Sequence, residues 1–152
     1  MIEKLACKLG RNDEIPNIEL AESICLNNDT IGVKEIVDGF KGKDKAVAND
    51  CIKVLYELGE RNPTLISDYA IDFISSLYSK NNRLVWGSMT ALAKITRFAP
   101  QLIFDKIQAV IYAYNPAAIS VDKPNNLRSF RVKIKKPPAI VANGFASAYG
   151  GF

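Results

Sequence analysis

The chain has 152 residues, 48% of them apolar and 24% charged, with a net charge of +4. That length supports one domain with a real core, and no apolar run approaches the roughly 18–20 residues that span a bilayer. The charge is uneven: residues 1–116 carry 14 Lys and Arg against 15 Asp and Glu, whereas residues 117–152 carry 6 against the single Asp122. The basic balance therefore belongs to the C-terminal segment alone.

Met1-Ile2-Glu3-Lys4 leads into no signal-peptide core, so a cytoplasmic location is expected. The three cysteines, Cys7, Cys25 and Cys51, are widely spaced, and histidine is absent. Zinc favours Cys and His ligands at close spacing, so no metal is expected and each Cys reads as a small apolar residue.

In chain order, Ile2, Leu5, Ala6 and Leu9 suggest a short amphipathic helix ended by Gly10. Pro16 suits a first helical turn, where its missing N–H costs nothing, and opens a helix over 17–26 with Ile18, Ala21, Ile24 and Cys25 inward. Asn27 to Thr30 form a break rich in capping residues. A helix over 31–40 follows, with Val33, Ile36, Val37 and Phe40 at helical spacing, then a polar turn and a helix over 45–60 facing inward through Val47, Cys51, Leu55 and Leu58.

Asn62-Pro63 ends that helix, because a residue before proline avoids the helical region. The next pair is predicted over 63–78, with Ile66, Tyr69, Ala70, Phe73, Ile74 and Leu77 inward, and over 83–98, with Val85, Ser88, Leu92 and Ile95 inward. A further helix over 100–114 carries Ile103, Ile107, Val110, Ile111 and Tyr114. Beyond it, Pro124 and Pro137-Pro138 forbid a regular helix, and residues 130–135 alternate like a strand.

The two middle pairs repeat. Residues 33–66 lie over 70–103 without a gap at an offset of 37, with Lys43 on Lys80, Leu55 on Leu92, Pro63 on Pro100 and Ile66 on Ile103. A fixed period in this range marks stacked units that cannot bury their apolar faces alone. Two-helix units with a short polar turn and a boundary proline resemble the HEAT/armadillo-like α-solenoid family over residues 17–114. The Trp-x-x-Leu-Gly pattern of tetratricopeptide repeats and the Thr-Pro-Leu-His of ankyrins are absent. The resemblance implies an all-α superhelix of helical hairpins whose second helices line a concave surface that binds another protein. The expected division is a repeat domain over 1–116 and an atypical tail over 117–152. That tail reads as a cap, a disordered basic arm or non-native sequence, and an uncapped end would invite a homodimer.

No catalytic signature occurs, and without histidine no Ser-His or Cys-His pair exists, so no enzyme and no cofactor are expected. Asp68 and Asp72, one turn apart, read as charges favoured near a helix N-terminus rather than as an acid pair. Trp86 stands out. It aligns with Asn49, and Thr90 with Lys53, on a polar stripe opposite the apolar face. Trp86, Arg83, Thr90, Lys94, Asn49 and Lys53 are therefore candidate partner contacts, since Trp and Arg dominate interface energetics. The alternative places Trp86 in a groove between units as core. A second candidate surface, for nucleic acid, is Arg128, Phe130, Arg131, Lys133, Lys135 and Lys136, where cations and one aromatic could hold a backbone and stack a base.

Overall fold

Three helix starts are written in side-chain caps. The computed structural model describes residues 1–106 and residue 111. Helix α1 (Ile15–Leu26) carries Pro16 in its first turn. Helix α2 (Thr30–Phe40) is capped by Asp29, whose carboxylate accepts from the Gly32 N–H at 2.8 Å. Helix α3 (Lys45–Arg61) is capped by Asp44, which accepts from Ala46 and Val47 N–H at 3.0 and 3.2 Å. Helix α4 (Ala70–Ser76) is short. Helix α5 (Asn82–Ile95) is capped by Asn81, which accepts from the Arg83 N–H at 3.1 Å, and α6 covers Pro100–Asp105. Each cap satisfies amide groups that the first helical turn leaves without partners.

The 37-residue offset survives into the structure. Helices α3 and α5 start 37 residues apart, and so do their caps, Asp44 and Asn81. Equivalent positions are buried together: Val33 with Ala70, Ile36 with Phe73, Val37 with Ile74, Phe40 with Leu77, Cys51 with Ser88, Leu55 with Leu92 and Leu58 with Ile95.

The described residues form an all-α bundle in which α3 is central. It packs against α1, α2 and α5, and α4 packs against α5. Phe40 of α2 meets Phe73 of α4 with ring centroids 5.9 Å apart, and Lys41 Nζ lies 3.0 Å from Asp72. Asp72 is therefore half of an ion pair with a neighbouring helix. Gly87 brings α5 onto α3: a Cβ there would sit 2.5 Å from Ile52 Cγ1.

Four expectations need correction. The helix predicted over 63–78 is broken into two short 3-10 turns, Pro63–Leu65 and Ser67–Tyr69, followed by α4. Here the backbone bonds are the tighter three-residue kind, from Leu65 N–H to the Asn62 carbonyl, Ile66 to Pro63 and Tyr69 to Ile66, while Thr64 Oγ1 hydrogen-bonds Asn62 Oδ1 and Ser67 Oγ donates to the Thr64 carbonyl. The N-terminal helix is one 3-10 turn, Ile2–Lys4; Leu5 is buried but Leu9 is exposed, and Gly10 turns the chain with φ 68°. That segment is held by long-range bonds, from Ala6 N–H to Asn17 Oδ1 at 3.0 Å and from Cys7 N–H to Asp50 Oδ2 at 2.8 Å. The inward face of α1 is rotated: Asn17, Leu20, Ala21 and Ile24 are buried, while Ile18 and Cys25 are half-buried. Ile111, expected inward, is exposed. Ile107, Val110, Tyr114, the division after residue 116 and the whole basic cluster from Arg128 to Lys136 lie outside the described residues.

Candidate interaction surface on α5

Trp86 lies on the outer face of α5 with 64% of its surface exposed. One turn before it stands Arg83 and one turn after it Thr90, whose Oγ1 donates to the Trp86 carbonyl at 3.0 Å. Beside these residues is an open cleft of about 420 Å³. Ile52 and Tyr56 of α3, Gly87 of α5 and Glu14 at the head of α1 complete its lining. The cleft thus has two aromatic side chains, a glycine of α5 packed against Ile52 of α3, and one ion pair at its rim.

That ion pair is Glu14 with Arg83, 69 residues apart in sequence. Glu14 occupies the N-cap position of α1 but caps nothing with its side chain. Its other oxygen, Oε2, lies 3.0 Å from Lys53 Nζ. Lys53 also meets Glu57 Oε1 at 2.9 Å, Glu57 pairs with Arg61, and Arg61 Nη2 reaches Glu22 of α1 at 2.9 Å. Charges of alternating sign therefore run from α5 across α3 to α1.

Two of the expected contact residues need correction. Lys53 is buried, at 7% exposure, with Nζ 4.7 Å from the Tyr56 ring centroid. Asn49 is half-buried, and its Oδ1 accepts from Asn81 Nδ2 at 2.8 Å, tying α3 to the cap of α5. Both lie on a stripe that reads as polar in sequence. In the fold α3 has α1 on one side and α5 on the other, so its polar stripe is covered. The equivalent positions on α5, Trp86 and Thr90, stay exposed. Lys94 is exposed and paired with Glu60. Sequence reasoning missed Glu14, Tyr56 and Gly87. Glu14 had no local signal, because its partners come from α3 and α5.

Burial alone would push the Lys53 ammonium down, but contacts with Tyr56, Glu57 and Glu14 outweigh it and hold the group above its ordinary 10.5. Burial likewise raises the Glu57 carboxyl, and hydrogen bonds from Arg61 and Lys53 outweigh that and leave it below its ordinary 4.5. A depressed carboxyl contributes stability above its unfolded value and loses it as pH falls through the folded one. A raised ammonium contributes below its unfolded value and loses it as pH rises. The urea midpoint is expected to be level from about pH 6 to about pH 8 and to fall on both sides, the alkaline side including the two raised thiols Cys7 and Cys51. In Glu57→Gln the acid-side fall should shrink; an identical acid limb in the variant would show that Glu57 carries none of it.

Burial first, then Asp50, pushes the Cys7 thiol up to about 11, and burial pushes Cys51 to about 12, so both are neutral thiols at neutral pH. Among the described residues no group of three or more Cys, Asp and Glu side chains could hold a metal ion, and no helix is long and apolar enough to cross a membrane. Comparison with family models, with curated proteins and with solved structures finds no match for the chain. The functional reading consequently stands on the geometry of this surface.

Proposed function

We propose that the chain is a HEAT-like helical-repeat scaffold without enzymatic activity of its own, acting in the cytoplasm, that binds another protein along α5. The observation that carries this reading is Trp86, largely exposed beside a cleft that a second aromatic, Tyr56, also lines. A large indole held in water gains apolar burial when a partner covers it, and Trp and Arg are the residues most often found at interface hot spots. The repeat supports the architecture: units offset by 37 residues share caps and buried positions.

Affinity capture from lysate with intact protein and with Trp86→Ala, each with and without nuclease, tests the reading. A protein recovered despite nuclease is expected, with Trp86→Ala weakening its direct binding by about 30-fold, which corresponds to roughly 2 kcal/mol. Unchanged affinity in Trp86→Ala would remove this surface from the interface. Recovery of nucleic acid alone, lost on nuclease treatment, would move the function to the basic cluster Arg128–Lys136.

A further inference from the structure

Charge is divided unevenly along the chain. Residues 13–72, which include α1 to α3, carry thirteen acidic and six basic side chains. Residues 73–104, which include all of α5, carry no acid and four bases, Lys80, Arg83, Lys94 and Arg97. Two of these bases, Arg83 and Lys94, flank Trp86 on α5, and Arg97 follows in the turn just beyond the helix end. Arg83, Trp86, Thr90 and Lys94 follow one another at three- and four-residue spacing, which is one face of α5 over about 16 Å. All five are exposed.

Two of the three cations already hold a carboxylate, Arg83 that of Glu14 and Lys94 that of Glu60. Among the described residues Arg97 has no carboxylate partner; its guanidinium lies 4.6 Å from the Phe98 ring centroid. From this arrangement we infer that the α5 surface receives an acidic linear segment of another protein, with an apolar side chain in the cleft beside Trp86 and carboxylates on Arg83, Lys94 and Arg97. This rests on the interface reading above and specifies its ligand. The carboxylates of Glu14 and Glu60 mark the sites: an incoming acid exchanges for a group of the same kind at Arg83 and Lys94 and adds a new pair at Arg97. A basic segment would meet Arg97 without a neighbouring carboxylate and would have to displace Arg83 and Lys94 from Glu14 and Glu60. A nucleic-acid backbone would gain from the cations but would also pass Glu14 and Glu60, and three cations are few for binding that depends on many phosphate contacts.

Trp86 is the only tryptophan, so its emission reports this surface without a label. The protein is titrated with three probes: a blocked peptide of Glu-Leu-Glu-Glu repeats, its Lys-for-Glu counterpart, and oligothymidylate. The acidic peptide is expected to move the emission to the blue, with affinity falling as salt rises and dropping about 3- to 10-fold in Arg97→Gln. Lys34→Gln, the same charge change on α2, should bind as the parent does. Equal binding of the basic peptide, no binding of either peptide, or equal losses in Arg97→Gln and Lys34→Gln would each overturn the acidic ligand. Oligothymidylate binding more tightly than the acidic peptide would overturn it in favour of a nucleic acid. In any of these cases, a captured protein that depends on Trp86 would leave the interface itself standing, so the two readings fail separately.

Discussion

Gly87→Ala is expected to destabilise the protein, although alanine is the better helix former. Inside an exposed helix the exchange gains about 1 kcal/mol. At this position the new Cβ would lie 2.5 Å from Ile52 Cγ1 and 3.3 Å from its Cγ2. Ile52 is buried on α3 and branches at Cβ, so its γ-carbons cannot swing aside without leaving the one rotamer a helix favours. Overpacking of this kind costs about 1–3 kcal/mol and outweighs the gain in propensity. Ile52→Ala alone should cost more, about 2–5 kcal/mol, through the cavity it leaves.

The pair should couple. With Ile52→Ala in place both γ-carbons are gone and the remaining Cβ at position 52 is 3.5 Å from the new methyl, an ordinary contact, so the double variant should lose less stability than the two single losses together. Ile52→Val gives no such relief, because it removes Cδ1 and keeps both γ-carbons. Urea midpoints of the four proteins in the cycle measure this. A stabilising Gly87→Ala, or strict additivity, would mean that α5 and α3 are not in contact at this glycine.

Lys53→Met is expected to cost about 2 kcal/mol, although in sequence Lys53 reads as one more surface lysine. A cation removed from a buried network leaves its acids short of a partner, at about 3–5 kcal/mol when nothing else compensates. Here compensation is partial. Glu57 keeps Arg61, and Glu14, half-exposed, keeps Arg83. The loss should therefore fall below that range but above the 0–1 kcal/mol or so of a surface pair. Lys53→Met combined with Glu57→Gln should lose less than the sum, since the second change neutralises the acid that the first deprives. An effect of Lys53→Met within about 0.5 kcal/mol would place Lys53 in solvent.

Both predictions concern contacts between helices, where sequence reading was weakest. Helices α2, α3 and α5 were legible to within a few residues, because caps and apolar spacing act over one or two turns. The segment after Pro63 looked equally helical, and of its expected inward residues Ile66, Ala70, Phe73, Ile74 and Leu77 are buried while Tyr69 is half-buried. What failed there was continuity: the backbone pairs three residues apart, Leu65 with Asn62, Ile66 with Pro63 and Tyr69 with Ile66. On the candidate surface, Trp86, Arg83, Thr90 and Lys94 are exposed along α5, whereas Asn49 and Lys53 are drawn into contacts with α5, α1 and their own helix.

The sequence by itself determined the 37-residue period, the break between the helices of a unit, and the apolar face of each repeated helix. These depend on groups close along the chain and on burial that both units share. Tertiary structure decided which polar stripe reaches solvent. Asn49 and Lys53 align with Trp86 and Thr90, but α3 is flanked by α1 and α5, whereas α5 packs on α3 and α4. It also decided that Glu14 would join Arg83 to Lys53. A carboxylate's partners are set by what folding brings within about 4 Å, and spacing along the chain does not reveal that.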